Sequence, residues 1–227
     1  MMRFYRGIAV PSRLAPAVIN KIRTQGLLPS DGNWRMSAPD LRGSIEAIWS
    51  KPKVTTANTK PTADNPGSSW VCACADEHGA LYYACRHNKS GENQTPILIS
   101  FDAELSNVIV DGRDFLYTTF QMSDATRARE LLERLFGPAI LRYADRAWGV
   151  VDTQERIALC DLAVQDGAVV LAHAANKIVI AGRYGTHFRS AFLVRTPVIP
   201  AHIVDVRVIE DVYELPEPEV FLESLVR

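Results

Sequence analysis

The sequence predicts an α+β fold in a single domain, and three observations lead to it. Apolar runs of strand length, at residues 70–75, 96–101, 192–194 and 203–209, are spread along the chain and bounded by turn-forming or charged residues. Between them lie segments whose apolar residues recur at helical spacing, most clearly residues 123–136. The 227 residues, 47% hydrophobic and 22% charged, suit one globular domain with a core of its own. No internal repeat and no linker between two cores is visible. Residues 1–227 therefore read as one domain, with a helical insertion around residues 123–165.

Each element has a local reason. Residues 4–10 read as an opening strand stopped by Pro11, and Pro16 suits the first turn of the helix that follows, which Gly26 ends. Residues 28–42 are loop-like, residues 44–49 a short helix, and residues 51–69 a long surface loop rich in Pro, Thr, Asn, Gly and Ser. Strand 70–75 leads to Asp76, an N-cap for a helix over residues 77–87 with Ala80, Tyr83 and Ala84 on one face. Strands follow at 96–101 and 108–110, the latter turned by Asp111-Gly112. Ser123 is expected to cap the helix to Phe136, with Leu131, Leu132 and Leu135 as its stripe. Helices are expected at 139–147 and 153–164, strands at 169–174 and 177–181, a glycine-bounded loop at 182–187, and closing strands at 192–194 and 203–209.

Composition narrows the function. A net charge of -1 argues against a large phosphate footprint. Arg183, Arg189 and Arg195 leave room for a local one, or are simply solvated. No apolar run approaches the ~20 residues of a membrane span, and residues 1–7 lack the apolar core of a secretory signal. The expected location is cytoplasmic, with no membrane partner. Cys72, Cys74, Cys85 and Cys160 lack paired C-x-x-C spacing and read as free thiols, with metal or redox use the alternative. The histidines His78, His87, His173, His187 and His202 show no ligand spacing, and no metal is expected. A G-x-S-x-G elbow, a phosphate-binding Walker loop and a G-x-G-x-x-G fingerprint are all missing.

Three segments, in order, resemble the ADP-ribosyltransferase superfamily. They are Phe4-Tyr5-Arg6-Gly7, the strand from Trp70 with the helix containing Ala80-Leu81-Tyr82-Tyr83-Ala84, and Phe188-Arg189-Ser190-Ala191-Phe192-Leu193-Val194 followed by Val198-Ile199-Pro200-Ala201-His202-Ile203-Val204-Asp205-Val206. The resemblance implies a split β-sheet core with the helical insertion, and NAD⁺ as substrate. It implies that Arg6 lies in the NAD⁺ cleft, that Gly7 lets the backbone approach the dinucleotide, and that Tyr83 or Tyr82 stacks on the nicotinamide. The alternative for the two tyrosines is plain packing of the helix on the sheet.

Family members carry a catalytic glutamate where this chain has Ala191. A carboxylate there hydrogen-bonds the ribose 2′-hydroxyl and stabilises the charge that develops as nicotinamide leaves; a methyl group does neither. Three explanations stand: an inactivated form of a glutamate enzyme, which is favoured; a natural binding-only homologue; or another acid, such as Glu104, Asp111 or Asp114. Residues 111–117 either line the cleft or form a tight turn with a solvated ion pair. Arg189, two residues before Ala191, departs from the arginine-modifying pattern. The resemblance then implies mono-ADP-ribosylation of a macromolecule, DNA or RNA ahead of protein, by Arg183, Tyr184, His187 and Arg189 on an acceptor-facing loop. It also implies a toxin with an antitoxin partner. An NAD⁺ glycohydrolase and a catalytically dead binding module of the same fold are the rivals.

Overall fold

The computed structural model describes residues 1–31, 70–181, 187–210, 217–221 and 225. Its strands are β1 (Met2–Pro11), β2 (Trp70–Cys74), β3 (Gln94–Ala103), β4 (Val108–Val110), β5 (Ile180–Ala181), β6 (His187–Phe188), β7 (Ala191–Arg195), β8 (Ile203–Val208) and β9 (Val220–Phe221). Its helices are α1 (Ala15–Gln25), α2 (Glu77–Tyr82), α3 (Arg113–Thr119), α4 (Ala125–Phe136), α5 (Leu141–Trp148), α6 (Thr153–Gln165) and α7 (Gly167–Ala175). Six strands form one sheet in the order β4-β7-β2-β1-β3-β8, with every neighbouring pair antiparallel. A small second sheet runs β6-β5-β9. The chain is thus α+β, as its pattern predicts.

Alternation along β1 sends Phe4 into the main core, where its ring meets Phe101 and Phe192. Tyr5 faces the other side, toward α2. Pro11 closes the strand at its pairing with Gln94. α1 begins with Pro16 in its first turn and ends at Gly26, whose φ of 77° only glycine adopts easily and whose N–H bonds the Ile22 carbonyl at 2.9 Å. α1 packs against β8, and Arg23 reaches across to the Val206 carbonyl at 2.7 Å. α6 and α7 pack against β4 on the other half of the sheet.

Several sequence expectations need correction. Helix α4 is capped by Asp124, whose carboxylate accepts from the Arg127 N–H at 3.0 Å; Ser123 lies outside it. Residues 169–174 are helix, not strand: Asp166 caps α7 by accepting from the Ala168 N–H at 2.9 Å, and Val169, Val170 and His173 face the core at helical spacing. Of residues 177–181, only Ile180 and Ala181 are strand. The segment after Asp111 is not a tight turn but opens helix α3, and Arg113 is buried with Asp161 at 2.8 Å. Helix α2 continues into a π-type turn over Tyr83–His87. The short helix at 44–49, the loop at 51–69, Arg183 and Tyr184 lie outside the described residues.

Candidate functional site

The sheet is zipped within each half and nearly open between them. β1 and β3 share ten residue pairs, and β2 and β7 share five. β1 and β2 share one, Tyr5 with Cys74. Just past that pair the Arg6 guanidinium fills the gap: Nη1 donates to the Cys72 carbonyl at 2.7 Å and Nη2 to the Asp31 carbonyl at 3.2 Å. Arg6 is only 6% exposed. Burial lowers its pKa, an effect offset in part by the charges of Cys72 and Asp31.

Helix α2 lies on the Tyr5 face of this junction. A side chain on Gly7 would place its Cβ 1.8 Å from the Ala80 carbonyl oxygen, so glycine is required for the helix to approach the strand. Gly7 therefore serves helix–strand contact; its carbonyl accepts from the Asn88 amide at 2.8 Å. Cys74, Ala80 and Leu98 form a small apolar cluster with Tyr5, Leu81 and Tyr83 packed on it. Of the two candidate tyrosines, Tyr83 is the one in that cluster; Tyr82 meets it edge-on at 6.2 Å. Burial, reinforced by nearby negative charge, raises the ionisation of both the Cys74 thiol and the Tyr83 phenol.

Ala191 joins this face from the next strand. It pairs directly with Cys74, and opposite residues of an antiparallel pair share a face. Its carbonyl accepts from the Asp111 N–H at 2.9 Å, which sets Asp111 beside it at the end of β4. Ser190, just before it, has a φ of 46°, is buried, and its hydroxyl has no hydrogen-bond partner among the described residues. Such outliers collect at functional sites, because only a constrained surrounding holds them in place.

Asp76 ties the neighbouring segments together. Its Oδ1 caps α2 by accepting from the His78 N–H at 2.9 Å. Its Oδ2 meets Lys177 Nζ at 2.8 Å and Arg189 Nη2 at 3.4 Å. Lys177 precedes β5 and Arg189 follows β6, so one carboxylate holds both ends of the β5–β6 hairpin. Burial pushes its pKa up, but the Lys177 hydrogen bond, the Arg189 charge and the His78 N–H outweigh that and hold it below the usual carboxylate range.

The structure thus gathers Arg6, Gly7, Tyr83 and Ala191, drawn from three distant parts of the chain, around one strand junction. Arg189, expected on the acceptor-facing loop, lies with its Nη2 3.4 Å from Asp76 Oδ2. His187 opens β6. Cys74, Ser190 and Lys177 were not legible as site residues, and Asp76 was legible only as a cap. Pairing across strands and an αL serine have no local sequence signature. The four cysteines are free thiols, Cys72 half-buried and the others buried. Among the described residues no group of three His, Cys, Asp or Glu is placed to hold a metal ion, and no single helix is long and apolar enough to cross a membrane. Comparison with protein-family models, curated proteins and solved structures returned no match.

Proposed function

We propose that this chain binds NAD⁺ at the junction of the two sheet halves and is built for mono-ADP-ribosyl transfer. The observation that carries this reading is the single-pair junction Tyr5–Cys74, flanked by Arg6 on one strand and Ala191 on another. The first two segments that resemble the ADP-ribosyltransferases and the Ser190–Val194 part of the third come together there, while the closing strand of the third lies at the sheet edge beyond β3. Arg6 supplies a buried positive charge suited to a pyrophosphate, and Tyr83 an aromatic face suited to the nicotinamide ring. Residue 191 stands where an acid would stabilise the oxocarbenium-like charge on the ribose.

The acceptor we assign is a nucleic acid ahead of a protein, because Arg189 stands where arginine-modifying enzymes carry Gln or Glu. A toxin restrained by an antitoxin is the setting that fits this chemistry. Plain NAD⁺ hydrolysis is favoured by one observation: Arg189 is engaged by Asp76 instead of facing an acceptor.

The test is nicotinamide release from labelled NAD⁺ by Ala191→Glu, with DNA, RNA and protein offered separately. Turnover by the glutamate variant is expected, and the labelled pool names the acceptor. Label recovered only as free ADP-ribose selects the hydrolase. Neither turnover nor NAD⁺ binding by that variant removes the reading.

A further inference from the structure

Three acids compete with a missing glutamate at residue 191, and the fold separates two of them. Glu104 is exposed and lies before the turn at Leu105–Asn107, which leads into Val108. Val108 pairs with Val194, at the far end of β7 from Ala191. Asp111 lies at the near end: Val110 pairs with Phe192, and the next N–H, that of Asp111, bonds the Ala191 carbonyl. Phe192 faces the core, packed on Phe4 and His173 at 5.5 and 5.3 Å. Strand alternation turns Ala191 to the opposite face, where its partner Cys74 lies, and Asp111 follows directly after β4 with its N–H on the Ala191 carbonyl. The negative charge of Asp111 is felt at both Cys74 and Tyr83.

We propose that Asp111 supplies the carboxylate of the reaction centre, in place of a glutamate at residue 191. This rests on the NAD⁺ reading of the junction. Directly opposed residues on antiparallel strands have Cβ atoms about 5 Å apart, so a carboxylate rooted on β4 serves the same space as a longer one rooted on β7. In the reaction the C1′–nitrogen bond of NAD⁺ breaks and its electron pair leaves on neutral nicotinamide. The Asp111 carboxylate stabilises the positive charge left on the ribose and accepts the 2′-hydroxyl hydrogen bond. Water or the acceptor nucleophile then bonds C1′ and gives up its proton to solvent.

The experiment measures nicotinamide release and, by calorimetric titration, NAD⁺ binding. It uses the unaltered chain, Asp111→Asn, Asp111→Ser, Ala191→Glu and the double variant Asp111→Asn/Ala191→Glu. The unaltered chain is expected to turn over. Both Asp111 variants are expected to lose about 10²- to 10³-fold in rate while still binding NAD⁺. The double variant, with a carboxylate restored on the same face, is expected to regain activity, which excludes a folding defect as the cause. Turnover by Ala191→Glu alone, with none by the unaltered chain, overturns the role of Asp111 and leaves the NAD⁺ reading standing. Full activity in the Asp111 variants does the same. No binding and no turnover by any form removes both.

Discussion

The two halves of the sheet treat their buried charges differently. In β4-β7-β2 and the helices behind it, the buried Arg113 is met by a carboxylate, Asp161 at 2.8 Å, although burial still pushes its pKa down to about 10. At the junction with β1-β3-β8, the buried Arg6 is held by two backbone carbonyls, and Ser190 keeps a hydroxyl with no partner among the described residues. An ion pair cancels its own charge, whereas a guanidinium resting on carbonyls keeps its net positive charge. Among the described residues, the uncancelled charge of Arg6 lies where the main sheet has its shortest pairing, the single pair Tyr5–Cys74.

The largest expected effect lies on the helical side. Phe136 is fully buried, lies beside Phe115 and stacks on His173 at 4.9 Å. Phe136→Ala is expected to cost about 3–5 kcal/mol, read from urea unfolding midpoints.

His173 gives the next effect. It is buried, its Nδ1 lies 3.1 Å from the Leu135 carbonyl, and burial pushes its pKa down to about 4 from an ordinary 6.5. Because the folded form resists protonation and the unfolded chain does not, stability is full above pH 6.5. It is expected to fall by roughly 3 kcal/mol as the pH drops from there to 4. Unfolding midpoints at pH 7.5 and 4.5 check this, and His173→Leu should flatten that part of the slope.

At the junction, Gly7→Ala drives a methyl into the Ala80 carbonyl. A loss of about 1–3 kcal/mol is expected, together with faster amide exchange in α2. An unchanged exchange pattern would contradict the close approach of helix and strand.

A smaller change sharpens the comparison. Asp76→Asn keeps a capping side chain but removes the charge shared by Lys177 and Arg189. About 1 kcal/mol is expected, with exchange rising in β5 and β6 and not in α4. As a reference, the exposed pair Arg129–Asp145 should contribute less than about 1 kcal/mol when Arg129→Ala is compared with the unaltered chain.

Much of the scaffold was legible because its signals are local. Pro16 and Gly26 bracket α1, Asp76 caps α2, and the alternation of β1 survives in its burial. The site was legible only in fragments. Arg6, Tyr83 and Ala191 could be named from resemblance, but their distance along the chain hides that Cys74 pairs with Ala191 on one side and with Tyr5, the neighbour of Arg6, on the other. The ion pair of Arg189 was not legible, because an arginine beside a loop gives no sign of a buried carboxylate more than a hundred residues away.

By itself the sequence determined an α+β chain, the positions of β1, α1, β2, α4, β7 and β8, and the place of the helical segment between them. Those follow from periodicity and end-capping within a few residues. Tertiary structure alone decided that residues 169–174 coil rather than extend, because a short apolar run satisfies either period and the space behind β4 selects between them. It alone decided that the sheet parts between β1 and β2 and that Asp111 sits beside Ala191, since strand order and register arise from long-range pairing that no local pattern records.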